Sequence, residues 1–497
     1  MKSLSDSLLS QLSELVAART ALHFPRERRS DLEYRVRSAA KELGFTDPEA
    51  FVQGLLSSSP TREQIEVMAS HLTIGETFLW REPQVFAALR EQILPDLIRS
   101  REQGNKSIRI WSAGCASGEE PYSIAIALRS LVFARDDWHI TILATDINPR
   151  ALQRAAAGEY GEWSFRNAPP WLKERYFSRQ DNNRFEIVPD IRKMVSFAYL
   201  NLAEDTYPSP LNNTNAMDII FCRNVLMYFA PERARQVGQS LCHSLVEGGW
   251  LMVGASELSQ VGFPQFSCVN FPGAIVYHKE SRQPPPASSL PAAIPVHEAP
   301  SQPAAESTVE PAAPPPQRHG SEMAPAAERA APQEAAYAHA GGLYAQGRYA
   351  EVVESLERAQ SPRCGALVVR ALANQGKLAQ ALSACEMAIA ANRLDPGLHY
   401  LSATILQEQN REGEAIGALK RALYLDPALA PAHFALGNLL LRQGQARAAK
   451  KSFENALALL SACQPDDILL ESEGLTAGRF RDIVKVAIQI GARGAST

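Results

Sequence analysis

IRIWSAGCASGEEPYSIA, residues 108–125, is an apolar strand that runs through a glycine-bearing turn into a helix with proline in its opening turn. Glycines such as Gly114 and Gly118 permit unusual φ and let a ligand come close to the backbone. The same texture recurs downstream in HITILATD (139–146), MVSFAYLNL (194–202), AMDIIFCRN (216–224) and GGWLMVGA (248–255), short apolar strands alternating with helices. Alternation of this kind predicts an α/β domain, a mostly parallel sheet with helices on both faces. Two further strands, near 266–269 and 274–278, have no helix between them and predict an antiparallel edge.

In such a sheet ligands bind beyond the carboxyl ends of the strands. The first strand end is not GxGxxG, and Glu119 and Glu120 stand where a pyrophosphate would sit. Two anions would repel a third, so a dinucleotide is disfavoured and a cationic group fits better. The competing reading is that these acids only complement the helix dipole, a contribution of about 0.3–1 kcal/mol. On this segment alone both stay open. Asp146 ends the second strand, where an acid can accept hydrogen bonds from a ribose diol. Asn201 and Leu202 end the third, and Arg223 and Asn224 the fourth, followed by Tyr228, which also reads as a core aromatic. Polar residues after buried strands are costly unless they reach a partner or solvent, so their recurrence predicts a lined cleft.

Working outward, residues 1–78 show a helical pattern, with Leu4, Leu8, Leu12 and Val16, then Leu32 and Val36. The α/β pattern occupies 79–280. Residues 281–333 are dominated by Pro, Ala, Ser and Glu, which predicts an extended, disordered tether that lets the flanking halves move independently. Beyond it Gly376, Asn410 and Gly444 are 34 residues apart, as are Ala381, Ala415 and Ala449. Small residues at helix crossings and Asp-Pro at 395–396 and 426–427 resemble tetratricopeptide repeats over 334–462, about three units with capping helices, followed by a helical tail at 463–497.

The 497 residues carry 50 Lys plus Arg against 54 Asp plus Glu, a formal charge of −4, which excludes a chain that coats nucleic acid. Seven cysteines without a CxxC pair argue against a disulfide frame or structural zinc and fit a reducing, cytoplasmic compartment. No apolar run approaches the ~20 residues needed to span a bilayer, so no membrane insertion is expected.

LTIGETFLWRE (72–82), SAGCASGEEPYSIA (112–125), ATDIN (144–148) and IIFCRNVLMYF (219–229) together resemble the chemotaxis receptor methyltransferases of the CheR type. The resemblance covers about residues 1–280, and the repeats behind it are similar to the WspC branch, which serves surface sensing. It implies a Rossmann-like S-adenosyl-L-methionine fold with a helical N-terminal domain, and O-methylation of receptor glutamates. By motif position it implies that Thr77 and Arg81 contact the cofactor and the reacting region. Gly114 lies against the cofactor, Glu119 and Glu120 face its ammonium, and Asp146 its ribose. Asn201, Leu202, Arg223 and Asn224 take the adenosyl part, and Tyr228 sits by the transferred methyl. Where many relatives carry Asn two positions before the Thr, this chain has Gly75, so one hydrogen bond to the cofactor is missing or is made by water instead. The hairpin from about Tyr176 to Met194, through which some relatives dock a receptor's terminal peptide, lacks an obvious glycine-rich turn.

A substrate glutamate with pKa near ~4.3 is already ionised at neutral pH, so this transfer requires no general base. In the family a basic helix of the N-terminal domain faces the receptor's acidic helical bundle. Arg26, Arg28, Arg29, Arg35 and Arg37 supply such a face here, with i,i+4 pairs such as Asp31 to Arg35 as the alternative reading. The repeats are expected to bind a further protein, or to fold back on the catalytic half. A small-molecule methyltransferase on the same fold, or an inactive scaffold acting through the repeats, are the rival functions.

Overall fold

A computed structural model describes residues 4–58, 60–102, 106–131, 138–181, 183–210, 212–254, 256–257, 265–280, 326–356, 362–465, 467–469, 471 and 475–494. Seven strands form the main sheet: β1 (Ser107–Ala113), β2 (His139–Asp146), β3 (Val195–Tyr199), β4 (Met217–Cys222), β5 (Leu245–Val253), β6 (Phe266–Phe271) and β7 (Ala274–Lys279). Their order is β3-β2-β1-β4-β5-β7-β6. The first five are mutually parallel, and β7 runs antiparallel to both β5 and β6. This is the predicted α/β sheet with its antiparallel edge. Strands β1 and β4 are buried along their whole length, as the central strands of a two-sided sheet must be. The chain reverses direction across the sheet between them, which opens a crevice at their carboxyl ends.

Among the described residues the N-terminal domain has four α-helices, α1 (Asp6–Thr20), α2 (Arg29–Glu42), α3 (Pro48–Ser57) and α4 (Arg62–Leu72), and two more, Pro83–Ala88 and Leu94–Arg101, lead into β1. The Ser5 side chain caps α1 and a Thr61–Gln64 capping box starts α4. Their core gathers Leu12, Val16, Leu32, Val36, Phe51 and Met68. The end of α1 and the loop after it reach the main sheet, where His23 N donates to Tyr228 O at 2.7 Å and Asn201 Nδ2 to Arg19 O at 2.7 Å.

A small antiparallel sheet of Glu159–Tyr160, Phe177–Arg179 and Phe185–Ile187 stands beside the main one. Its hairpin turns without glycine because Asn183 takes the left-handed conformation, φ 59°.

The C-terminal residues form antiparallel helix pairs: Ala326–Ala345 with Tyr349–Leu356, Pro362–Asn374 with Leu378–Ala391, Pro396–Glu408 with Glu412–Leu425, and Ala430–Arg442 with Ala446–Ser461. The turns within these pairs carry Gly347, Gly376, Asn410 and Gly444, all at positive φ. A last helix, Ala477–Gly494, buries Phe480 and Val484 against the stack. The pair Ala326–Ala345 with Tyr349–Leu356 stands ahead of the units phased by the 34-residue spacing. Its first helix begins at Ala326, inside the stretch expected as tether; residues 281–325 of that tether lie outside the described residues.

The two halves, expected either to move independently on the tether or to fold back on each other, are in contact in this structure. Glu408 at the end of a repeat helix accepts from Asn215 Nδ2 at 2.8 Å, and its carboxylate lies 3.9 Å from the Arg109 guanidinium. The Gly347 turn abuts the His243 ring, and the Gly376 turn faces Val246 and Ala216. Those residues of the α/β domain cluster at the amino ends of β1, β4 and β5, the edge away from the crevice. A tether limits reach, whereas this arrangement comes from complementary surfaces that local sequence does not display.

Among the described residues no helix is long and apolar enough to cross a membrane.

Candidate active site

Two clefts meet at the carboxyl ends of β1, β2 and β4. The wider, about 680 Å³, is walled by Gly75, Gly114, Asp146, Asn201, Leu202, Asn224 and Tyr228, together with Thr20 and Leu22 from the N-terminal domain. The narrower, about 460 Å³, is walled by Thr77, Arg81, Glu120 and Arg223. Ile74, Gly114, Ala116 and Asn224 border both, so the two are chambers of one site.

The β1 turn shapes the floor. Gly114 has φ 80° and a Cβ there would collide with Val225; Gly118 has φ 93° and a Cβ would come within 2.8 Å of Ala155. Only glycine fits either position. At the end of β2, the Asp146 carboxylate accepts from Ala116 N at 2.9 Å and Asn148 N at 2.8 Å. Burial pushes its pKa up against these backbone donors. Each oxygen keeps a second lone pair for a further donor.

In the narrow chamber Glu120 accepts from Ser112 Oγ at 2.8 Å and from Arg223 Nη1 at 3.1 Å. Burial raises its pKa and the Arg223 charge opposes the rise. Arg223, with its side chain 1% exposed, also pairs with Glu82 at 3.1 Å and donates to the Arg81 carbonyl at 2.9 Å. It therefore holds the loop that carries Arg81, whose own Nη1 donates to Glu76 O at 3.0 Å. The Arg81 guanidinium lies 5.6 Å from the Phe78 ring.

Two expectations need correction. Glu119 borders neither chamber: its carboxylate is buried and accepts from Ser117 Oγ at 2.7 Å and Ser164 Oγ at 3.0 Å. Adjacent helical residues point about 100° apart, so only one of two neighbouring acids can face the cleft. Arg223, expected with Asn201 and Leu202 on the adenosyl part, stands instead in the narrow chamber, where its charge pairs with Glu120. Asn201 borders the wide chamber, but its amide also tethers the N-terminal domain through Arg19 O.

The arginines of the expected basic face lie outside both chambers, and four of them have partners within the N-terminal domain. Arg28 pairs with Asp31 at 3.0 Å, Arg29 donates to Ser10 Oγ at 3.0 Å and Arg37 is bound to Glu33. Arg35 bridges Asp31 to the carbonyls of His71 and Leu72 at 2.9 and 3.3 Å, satisfying the end of α4. Arg26 is exposed.

Sequence reasoning missed Thr20 and Leu22, which reach the wide chamber only because the N-terminal domain folds over it. It also missed Glu257, 1% exposed, whose carboxylate accepts from the backbone N–H groups of Asn224, Val225, Met227 and Gly254. The signal was present, since Gly254 to Glu257 follow a fifth strand and the rule applied at the other strand ends extends to it. Among the described residues no group of three or more His, Cys, Asp or Glu is placed to hold a metal.

Residues 75–272 match the family described as CheR methyltransferase, SAM binding domain, and residues 430–459 match a tetratricopeptide repeat. The chemotaxis protein methyltransferase of Borreliella burgdorferi is 32% identical over 251 residues, which cover 50% of this chain and 87% of that protein. This chain belongs to the CheR methyltransferase family. Chemotaxis protein methyltransferase 2 of Vibrio cholerae is 31% identical over 257 residues, 51% of this chain and 86% of that protein. A probable biofilm formation methyltransferase of Pseudomonas aeruginosa, WspC, is 26% identical over 428 residues, 86% of this chain and 92% of that protein, so that likeness runs on into the repeats.

S-adenosylmethionine is the methyl donor that the matched CheR domain binds. The cleft has the chemistry for it: an acid beside two guanidinium groups suits an amino-acid zwitterion, and the wide chamber joins a buried acid to apolar walls. The Asn224 Oδ1 is buried with no hydrogen-bond partner, an acceptor left for a ligand at the junction of the chambers.

Proposed function

We propose that this CheR-family chain methylates glutamate side chains on the cytoplasmic helical bundle of a methyl-accepting receptor, in the cytoplasm. The observation that carries this reading is the placement of Glu120, Arg223 and Arg81 in a chamber that opens directly onto the one containing Asp146. In this reading Asp146 accepts from a ribose diol, Glu120 from the methionyl ammonium, and Arg223 fixes Glu120 and the Arg81 loop. Asn224 walls the junction and Tyr228 the wide chamber, with Asn201 and Leu202 on the adenosyl side, and Thr77 borders the narrow chamber. Gly75 and Gly114 leave the room that a nucleoside needs.

The cofactor supplies a sulfonium-bound methyl group. Arg81 holds the substrate carboxylate, which is ionised at neutral pH and needs no base. Orientation of the nucleophile by these walls contributes about 7–11 kcal/mol, enough to dominate the acceleration. Arg26 and the surface around it meet the acidic bundle. Removing a glutamate charge from a surface of like charges then shifts the receptor between packed states. Similarity to a biofilm formation methyltransferase along most of the chain supports a surface-sensing receptor as the substrate, with the repeats binding a further protein.

Transfer of labelled methyl to purified receptor cytoplasmic fragments tests the reading. Label released by mild alkali and mapped to glutamate supports it; alkali-stable label, or turnover only with small molecules, overturns it.

A further inference from the structure

Glu257 is a buried carboxylate without a role in the reading above. Its Oε2 accepts from Asn224 N at 2.8 Å and Gly254 N at 2.6 Å; its Oε1 accepts from Val225 N at 2.8 Å and Met227 N at 3.1 Å. It borders neither chamber of the cleft. Three of the four donors belong to the loop that follows β4, and the fourth to the end of β5, so a single anion ties that loop to the neighbouring strand. The loop needs the tie. Asn224 stands at φ 59°, a left-handed conformation that disfavours L residues. Its N–H groups cannot complete a ladder once the strand has ended, and buried N–H groups without acceptors are costly.

We propose that Glu257 is a positioning residue for cofactor binding: its carboxylate sets the Asn224–Tyr228 loop so that the Asn224 amide and the Tyr228 ring form the cleft wall. This rests on the cofactor reading of the cleft. The carboxylate acts through backbone donors, so its effect reaches the ligand only by way of Asn224 and its neighbours. Gly254 belongs to the same device. A Cβ there would come 2.8 Å from Glu257 Oε2 and 2.9 Å from Asn224 Nδ2, so only glycine lets the carboxylate and the amide approach each other.

The test is calorimetric titration of the full chain with S-adenosylhomocysteine, for wild type, Glu257→Gln, Asn224→Ala and the double variant, with thermal melting alongside. Glu257→Gln is expected to weaken binding about tenfold or more, and the double variant to bind no worse than the weaker single variant, because both act on the same interaction with the ligand. Gly254→Ala keeps the charge and separates the same groups, and is expected to reproduce the loss. Native affinity in Glu257→Gln, losses that multiply in the double variant, or loss of fold in both Glu257→Gln and Gly254→Ala would each overturn the proposal in favour of a purely structural carboxylate. A wild-type chain that binds no S-adenosylhomocysteine would instead remove the cofactor reading, whereas a binding wild type with equally binding variants removes only this inference.

Discussion

Asn215 Nδ2 donates to Glu408 Oε1 at 2.8 Å, across the boundary between the catalytic sheet and the repeats. Asn215 stands just before β4, and Glu408 ends the Pro396–Glu408 helix. The Glu408 side chain is 5% exposed and faces Arg109, which is itself held by the carbonyls of Asn213 and Asn215. Burial raises the Glu408 pKa and Arg109 opposes it. A charge is tolerated in such a place only with partners, so this pairing marks a built interface. It lies at the amino ends of the strands, which leaves the cleft open.

Replacing Glu408 by alanine leaves the Asn215 amide short of an acceptor in a buried place, a cost of about 1–3 kcal/mol, and removes the countercharge that Arg109 faces. The expected outcome is a looser docking of the repeats, seen as a larger radius of gyration in small-angle scattering, with S-adenosylhomocysteine affinity retained. Unchanged scattering would show that the surrounding surfaces suffice.

Acid should loosen the same boundary through His243, whose ring meets the Gly347 turn. Burial, and then the Lys279 charge, lowers its pKa from 6.5 to about 4. Below pH 6.5 the unfolded chain takes a proton that the native ring refuses, so stability is lost as pH falls from 6.5 toward about 4. The shift corresponds to about 3 kcal/mol at most. Urea midpoints of wild type and His243→Gln should therefore differ in slope across this window, the wild type falling more steeply with acid; parallel curves would contradict the assignment.

The neighbouring acids of the first turn should behave differently. Glu120→Gln removes the anion facing the narrow chamber and is expected to weaken S-adenosylhomocysteine binding by about 10- to 100-fold, the scale of a lost charged hydrogen bond. Glu119→Gln should cost far less affinity and show chiefly as a lower melting temperature, because Ser117 and Ser164 hold that carboxylate away from the cleft. Equal losses in calorimetry would mean that the helix turns on binding.

Gly75 borders the wide chamber, and a Cβ added there meets no atom within 4 Å. Gly75→Asn is accordingly accommodated and adds a polar group to the wall. The expected gain in cofactor affinity is about fivefold, the scale of one net hydrogen bond near 1 kcal/mol. Weaker binding in the same titration would show that the opening itself is used.

Arg35 and Arg26 should separate structure from recognition. Arg35 satisfies the last carbonyls of α4, immediately before Thr73 and Ile74 of the cleft wall. Arg35→Glu is expected to lower the melting temperature and cofactor affinity together. Arg26→Glu, on the exposed surface, should lower methylation of receptor fragments with affinity for S-adenosylhomocysteine intact; a loss of both would place Arg26 in the fold.

The α/β sheet was legible in the chain because strand burial and helix alternation are local, periodic signals, and Gly114, Asp146 and Asn224 could be found at strand ends by counting. The 34-residue spacing of Gly376, Asn410 and Gly444 exposed the repeats for the same reason. Local pattern could not say which of Glu119 and Glu120 faces the ligand, since that depends on where the helix axis settles against the sheet. Nor could it show that Thr20 and Leu22 complete the cleft, that Glu257 gathers four N–H groups, or that Glu408 reaches Asn215. These relationships join residues far apart in the chain, and only the packing of whole domains brings a donor and an acceptor from such distances to within about 3 Å of each other.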